Sequence, residues 1–340
     1  MAMRCREART IRLASGTTSI ESSTVLSCQL ASSEATRARI FTAIIVFAFA
    51  QTAVAPPALE SLVSAAVSRF DVAVAIVRDG QVVLARGYGI RQVGGPEKVD
   101  EHTAFYIASA TKAFTVDRPG HPGIDDPVVK DLPEFALGDP ALARSLTVRD
   151  LMAQRTGLPR ADLLLLSGLS NDAVLGRLSA LAPQAPVRSR FTYSNQMYLA
   201  LGVLLERLAG AAAPDFLETR LLRPAGFADG NARGLGHWTS GANHAVPHAR
   251  TASGAQAIDL VPRAPTGAGA VNASASDLGV WRQFQLDDGT VAGKRLVSTA
   301  VLAAEHALNT LVPGNATMPS AAITAYGPGW CRSRRWAWPC

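Results

Sequence analysis

The feature that most limits how this chain can fold is a dipeptide, Asp79-Gly80, set between two β-branched runs at residues 72–77 and 81–85. Two such runs joined through Asp-Gly read as a β-hairpin, which commits this part of the chain to antiparallel strands. Just upstream, Leu59, Leu62, Val63 and Val67 fall on one side of a predicted helix over 59–70. Helix, hairpin and then further helical segments predict an antiparallel sheet with helices packed on it.

The next segment carries chemistry. In Phe105-Tyr106-Ile107-Ala108-Ser109-Ala110-Thr111-Lys112 a serine and a lysine stand three apart. On a helix those positions share a face, which brings an amine within reach of a hydroxyl and so can activate a weak nucleophile. A hydroxyl on the first helical turn also lies beside exposed backbone N–H groups at the positive end of the helix dipole. Burial would favour the neutral amine that a base must be. Ser-x-x-Lys is a weak signal alone, and an amphipathic helix start with a surface lysine reads equally well. Pro119, Gly120, Pro122 and Gly123 stop the helix at about residues 116–117.

Downstream, residues 128–151 read as short helical pieces broken by Pro133 and Pro140, with Thr147 as an N-cap. Thr156-Gly157-Leu158-Pro159 ends that region, and a second helical stretch covers 171–181. A strongly periodic helix over 197–208 closes at Gly210, and another over 215–222 ends at Pro224. Residues 228–256 read as a long loop, and Ser276-Asp277 caps a helix that buries Trp281 and Phe284.

The formal net charge of the 340 residues is +6, but residues 1–39 and 331–340 hold +3 each, so residues 40–330 are neutral. A neutral body argues against nucleic-acid binding, which needs a basic face on the folded domain. Arg37-Ala38-Arg39 leads into an apolar run over 40–50 and then Ala53-Val54-Ala55, the order of parts in a secretory signal peptide. Residues 37–55 are therefore expected to be a leader preceded by an upstream extension, 1–36, with cleavage after Ala50 or Ala55. The alternatives are an uncleaved membrane anchor through residues 40–55 and a buried core helix. A secreted or periplasmic protein follows from the leader, and membrane contact only from the anchor. Cys5, Cys28, Cys331 and Cys340 all lie outside the 56–330 body. A Cys331–Cys340 disulfide is open but not fixed by the sequence.

Tyr193-Ser194-Asn195, 84 residues after Ser109, completes a pattern. Together, Ser109-x-x-Lys112 and Tyr193-x-Asn195 resemble the penicillin-recognising serine hydrolases: class C β-lactamases, DD-peptidases and esterase-like relatives. Asp125-Asp126-Pro127-Val128, Leu146-Thr147-Val148-Arg149-Asp150-Leu151 and Thr156-Gly157-Leu158-Pro159 look like the same family. So do Gly269-Ala270-Val271-Asn272 with Asp277 and Trp281, and Tyr326-Gly327-x-Gly329-Trp330. The resemblance covers about residues 58–330 and implies an α/β (α+β) fold, an antiparallel sheet flanked by helices with a helical region inserted over about 120–260. It implies Ser109 as acyl-forming nucleophile, Lys112 as its proton acceptor and Tyr193 as a second acid/base group. Asn195 would orient substrate and lysine, and the Ser109 N–H would be half of an oxyanion hole. No cofactor or metal is implied. The partner would be a small-molecule or peptide substrate.

Two departures keep a rival reading open. The helix after Ser109 is shorter than the family's by roughly two turns, about 3.6 residues each, which would remove core packing beneath the nucleophile. The family's third motif, Lys/His-x-Gly on a strand beyond Trp330, is replaced by an atypical tail over 331–340. His121-Pro122-Gly123 spells the motif but stands beside the first one. The rival is a family remnant whose cleft at most binds ligands or partners. His244-x-x-x-His248 has a metal-like spacing that Pro247 interrupts.

Overall fold

The computed structural model describes residues 2–3, 30–31, 43–48, 56–67, 71–116, 123–165, 167–236, 243–252, 254–258, 265–312, 325–332 and 337–339. Of the segment 37–55 read as a leader, only Ala43–Ala48 (β1) lies among them, and it is a strand, not a helix. Helix α1 (Pro56–Val67) follows, then β2 (Val72–Arg78) and β3 (Gln81–Tyr88).

The Asp-Gly hairpin forms as the sequence predicts. Asp79 and Gly80 take φ of 51° and 72°, the two left-handed residues of a turn whose twist matches its strands. Strands β2 and β3 pair antiparallel with a bulge between Ile76 and Val77, and β1 runs parallel along the other edge of β2, Ala43 opposite Val72 through Ala48 opposite Val77. Alternation along β2 serves two layers. Val72, Val74 and Ile76 pack on Val63 and Val67 of α1. Ala73 and Ala75 face the other way, toward Phe105 and Ala275. Each fully buried Val or Ile contributes about 2 kcal/mol.

Strand β4 (Phe105–Tyr106) leads through a turn at Ala108–Ala110 into α2 (Thr111–Val116). The helical region opens with Val128–Asp131 and Pro140–Ser145. Pro140 does not break a helix; it starts one, because Asp139 caps the Ala141 N–H and the first turn needs no proline N–H. Then come α3 (Val148–Met152), α4 (Asp162–Leu165), the short Asn171–Leu175, and α5 (Asn195–Ala209), which ends at Gly210. The next helix outruns its expected stop. A wide π-type turn, Glu218–Leu222, precedes Pro224, and the chain stays helical to Ala225 before Gly226. Spreading the carbonyls ahead of the proline ring relieves the clash that ordinarily ends a helix there.

Residues 228–256 are not wholly loop: His248–Thr251 and Gly254–Ala257 pair as a hairpin. Strand β5 (Asn272–Ala273) pairs with β4, and α6 (Ala275–Leu286) packs across β1, β2 and β3. The cap of α6 is Ser274, two residues before the one expected, in a reciprocal capping box with Asp277. Trp281 and Phe284 are buried as predicted. Thr310-Leu311 opens a second antiparallel sheet that continues through β6 (Ala325–Gly327), β7 (Trp330–Arg332) and β8 (Ala337–Pro339). Cys331 is disulfide-bonded to a cysteine outside the described residues.

Helix α3 carries a buried polar anchor of the helical region, Asp150. Asp150 is fully buried, yet its carboxylate meets Arg188 at 2.6 Å and Arg155 at 2.7 Å while closing a capping box with Thr147. Burial pushes the Asp150 carboxyl up, but the bonds from Arg188, Thr147 and Arg155 outweigh it and hold the group below the usual carboxylate range. A depressed folded value stabilises the protein above the unfolded value, about 3.9, and that stability is lost as pH falls toward the folded one. Asp150→Asn should therefore cost about 3 kcal/mol at neutral pH, read by chemical denaturation, and flatten the loss of stability on acidification.

Candidate active site

The site begins with a strained residue. Ala108 sits at φ 47°, a conformation that costs a non-glycine residue about 1–3 kcal/mol. It turns the chain out of β4, where the Ile107 N–H bonds the Val271 carbonyl at 3.1 Å, and swings Ser109 onto the turn that opens α2. Thr111 then locks α2 in place. Its buried Oγ1 accepts from the N–H groups of Ala270 at 3.1 Å and Val271 at 3.0 Å. On the far side Gly329, at φ 74°, carries the β6–β7 turn so close to α2 that a Cβ there would lie 2.7 Å from the Ala113 nitrogen. Phe114 anchors the helix from beneath, stacked on Trp281 with centroids 4.1 Å apart, and Trp281 stacks in turn on Phe284 at 5.1 Å. The packing expected to be missing beneath the nucleophile is thus supplied by three aromatic rings.

The structure brings all four sequence-predicted residues together. Lys112 is fully buried, and its Nζ lies 3.0 Å from Ser109 Oγ, 2.7 Å from Tyr193 OH, 2.8 Å from Asn195 Oδ1 and 3.3 Å from the Ala268 carbonyl. Ser109 Oγ and Tyr193 OH are 2.7 Å apart, which closes a triangle of hydroxyl, phenol and amine. Asn195 Oδ1 and the Ala268 carbonyl can only accept, so they account for two N–H bonds of the lysine. A neutral amine has two N–H groups and one lone pair, and the lone pair is then left for a hydroxyl that donates. The surface-lysine alternative is excluded by this burial.

Tyr193 and Asn195 are held from the segment that links α3 to α4 and from the first residue of α4. Gln154, itself in the left-handed region at φ 54°, brackets the motif: its carbonyl accepts from Thr192 N–H at 2.8 Å and its Oε1 from Ser194 N–H at 2.7 Å. Ser194 occupies the N-cap position of α5, but its hydroxyl donates to Gln196 Oε1 at 3.0 Å and makes no capping bond. Asn195 Nδ2 donates to Asp162 Oδ1 at 2.8 Å, and the Arg160 guanidinium lies 5.1 Å from the centre of the Tyr193 ring. Sequence reading missed Thr111, Gln154, Arg160 and Asp162. Thr111 was inside the first motif and could have been asked what its hydroxyl does; the other three carry no spacing signal.

Strand β8 pairs with β7 and lies against α2, the place where the missing third motif would be sought. His121 and Pro122 lie outside the described residues. His244 and His248 form no metal-like group, and no such cluster exists among the described residues. His248 Nε2 accepts from the Val93 N–H at 2.9 Å.

A sequence model of the Beta-lactamase family matches residues 59–338. Among curated proteins, the chain is 29% identical over 174 residues to an unguisins hydrolase of Aspergillus violaceofuscus, covering 46% of this chain and 30% of that one. It is 28% identical over 165 residues to Protein flp of Staphylococcus aureus, covering 44% and 32%. The chain thus spans about a third of the length of these relatives. Among solved structures, a D-amino acid amidase from Ochrobactrum anthropi superposes with a TM-score of 0.63 at 20% identity, over 82% of this chain and 81% of that one. An octameric penicillin-binding protein homologue from Pyrococcus abyssi gives 0.60 at 20% identity, over 82% and 65%. EstCE1, a hydrolase with promiscuous acyltransferase activity, gives 0.59 at 21%, over 77% and 76%. At these identities the structural likenesses concern the fold, which is that of β-lactamases and transpeptidases.

Thr111→Val keeps the shape of its side chain but leaves two buried N–H groups without an acceptor, each worth about 1–3 kcal/mol. The variant should unfold at lower denaturant than the wild type, with the midpoint read by fluorescence, and by a larger margin than Thr115→Val. Thr115 Oγ1 only donates to carbonyls, chiefly that of Gly267 at 2.8 Å, so its loss strands no N–H.

Proposed function

The chain belongs to the Beta-lactamase family of serine hydrolases, and on that footing we propose that it works through an acyl-enzyme on Ser109, hydrolysing an amide or ester. One observation carries the proposal: a fully buried lysine amine, a serine hydroxyl and a tyrosine phenol within 3.0 Å of one another. In this mechanism the Ser109 proton passes to Lys112 Nζ, directly or through Tyr193, as Oγ bonds the substrate carbonyl carbon. Collapse of the tetrahedral intermediate breaks the bond to the leaving nitrogen or oxygen, which takes the proton back through Tyr193. Water then attacks the ester, gives its proton to the same pair, and Ser109 Oγ leaves with a proton restored.

The oxyanion would be met first by the Ser109 N–H. A second donor is best sought on β8, the strand against α2; Pro339 has no N–H, so the task falls to Ala337 or Trp338. Candidate substrates are a β-lactam, a D-amino-acid peptide or a small ester, and the amidase and hydrolase relatives make amides and esters the first to try. The disulfide at Cys331 supports an oxidising, extracytoplasmic location.

Treatment with a fluorophosphonate should add one mass increment on Ser109, absent from Ser109→Ala. Lys112→Ala and Tyr193→Phe should acylate about 10²–10⁴-fold more slowly, the usual weight of a positioned acid/base group. A folded wild-type chain that takes no adduct from fluorophosphonate or penicillin would overturn the proposal in favour of a ligand-binding remnant.

A further inference from the structure

Asp162 faces two donors. Its Oδ1 accepts from Asn195 Nδ2 at 2.8 Å and its Oδ2 from Arg160 Nε, with both side chains only about one-fifth exposed. The same Arg160 lays its guanidinium over the Tyr193 ring, 5.1 Å from the centroid. The backbone between them is tied to α5 as well, since Gln196 Nε2 donates to the Ala161 carbonyl and Gln196 Oε1 accepts from the Ala161 N–H at 3.5 Å. Residues 160–162 are thus fastened to the tyrosine and the asparagine that flank Lys112.

We propose that Arg160 and Asp162 are a positioning pair for the hydrolytic site: Asp162 fixes which way the Asn195 amide points, and Arg160 fixes Asp162 and the Tyr193 ring. The proposal rests on the reading of Lys112 as the base. An asparagine amide turned by a half-rotation exchanges an acceptor for a donor at nearly the same place. With Nδ2 held by Asp162, Oδ1 faces Lys112 Nζ at 2.8 Å. Turned over, the amide would present N–H groups to the amine, opposing its ammonium form and disturbing the split of N–H bonds and lone pair on which the proton transfer depends. Only a carboxylate can hold this arrangement. An amide at position 162 could accept from Asn195 or from Arg160, but would set its own N–H groups against the other.

The chain offers a direct readout, because Lys112 is one of only four lysines, with Lys98, Lys130 and Lys294. Around its amine stand Ser109 and the phenols of Tyr193 and Tyr198, whose rings lie 4.8 and 5.4 Å away, with Asp162 and Arg160 behind Asn195 and Tyr193. In Asp162→Asn a nearby negative charge is lost and the amide is freed to turn. Both changes disfavour the ammonium, so the Lys112 titration should move to lower pH, by about one unit for a charge at this range.

The experiment is NMR of the full chain with labelled lysine, the Lys112 signal being assigned by its loss in Lys112→Ala. Wild type is compared with Asp162→Asn and, as a control on the same helix, Leu163→Ala, whose side chain is largely exposed. The expected result is a downward shift in Asp162→Asn alone, together with a roughly 10-fold fall in kcat on an ester substrate and little change in KM. A folded Asp162→Asn in which Lys112 titrates as in wild type overturns the proposal, as does an equal shift in Leu163→Ala. If the wild type proves unable to acylate, the hydrolase reading fails, and the Lys112 titration still decides whether the pair governs the amide.

Discussion

Lys112 has no exposed surface, and the oxygens within 2.7–3.3 Å of its Nζ come from three separate stretches of chain: Ser109, the Tyr193–Asn195 segment and Ala268. Taking an amine out of water costs several kcal/mol unless its hydrogen bonds are replaced. The rest of the fold follows from supplying that replacement. The β4–β5 pairing and the Thr111 bonds bring the 268–271 carbonyls and amides to α2, and Gln154 sets the tyrosine segment opposite them. The strain at Ala108 is borne because so many contacts downstream determine where Ser109 must sit.

That dependence also shows in how α2 is held. A single helical turn or two gains little stability of its own, and the residues of α2 are fixed mainly by tertiary contacts. The helix is held by the Phe114–Trp281–Phe284 stack below, by Gly329 pressed against its backbone, and by the Thr111 hydroxyl at its side. Gly202, Leu205, Leu217 and Pro265 line a small pocket beside Thr115.

Local signals were legible wherever one residue type decides a local conformation. Asp79-Gly80 produced its hairpin, Thr147 and Gly210 bounded their helices, and Ser109 and Lys112 shared a face because three residues is nearly one turn. Signals failed where a distant partner sets the outcome. Pro224 was a poor stop because the turn before it widened, and Ser276 lost the cap to Ser274, whose hydroxyl and Asp277 satisfy each other. Tyr193 and Asn195 were found only through resemblance, and Asp162 and Gln154 not at all. Their importance lies in which amide or ring they touch across tens of residues, and no period in the sequence encodes that.

The placement of β1 gives six residues a task at the edge of the first sheet. Ala43–Ala48 runs parallel to β2 and covers an edge that would otherwise leave a row of backbone groups unpaired. During synthesis β1 leaves the ribosome before β2 exists, so for the time it takes to make α1 it is an uncharged apolar stretch with nothing to pair with. β2 can claim it only after α1 has been made, so the sheet edge closes late. A chain lacking residues 43–48 would carry an open edge on β2, and a chain that has them closes that edge with a strand made before its partner.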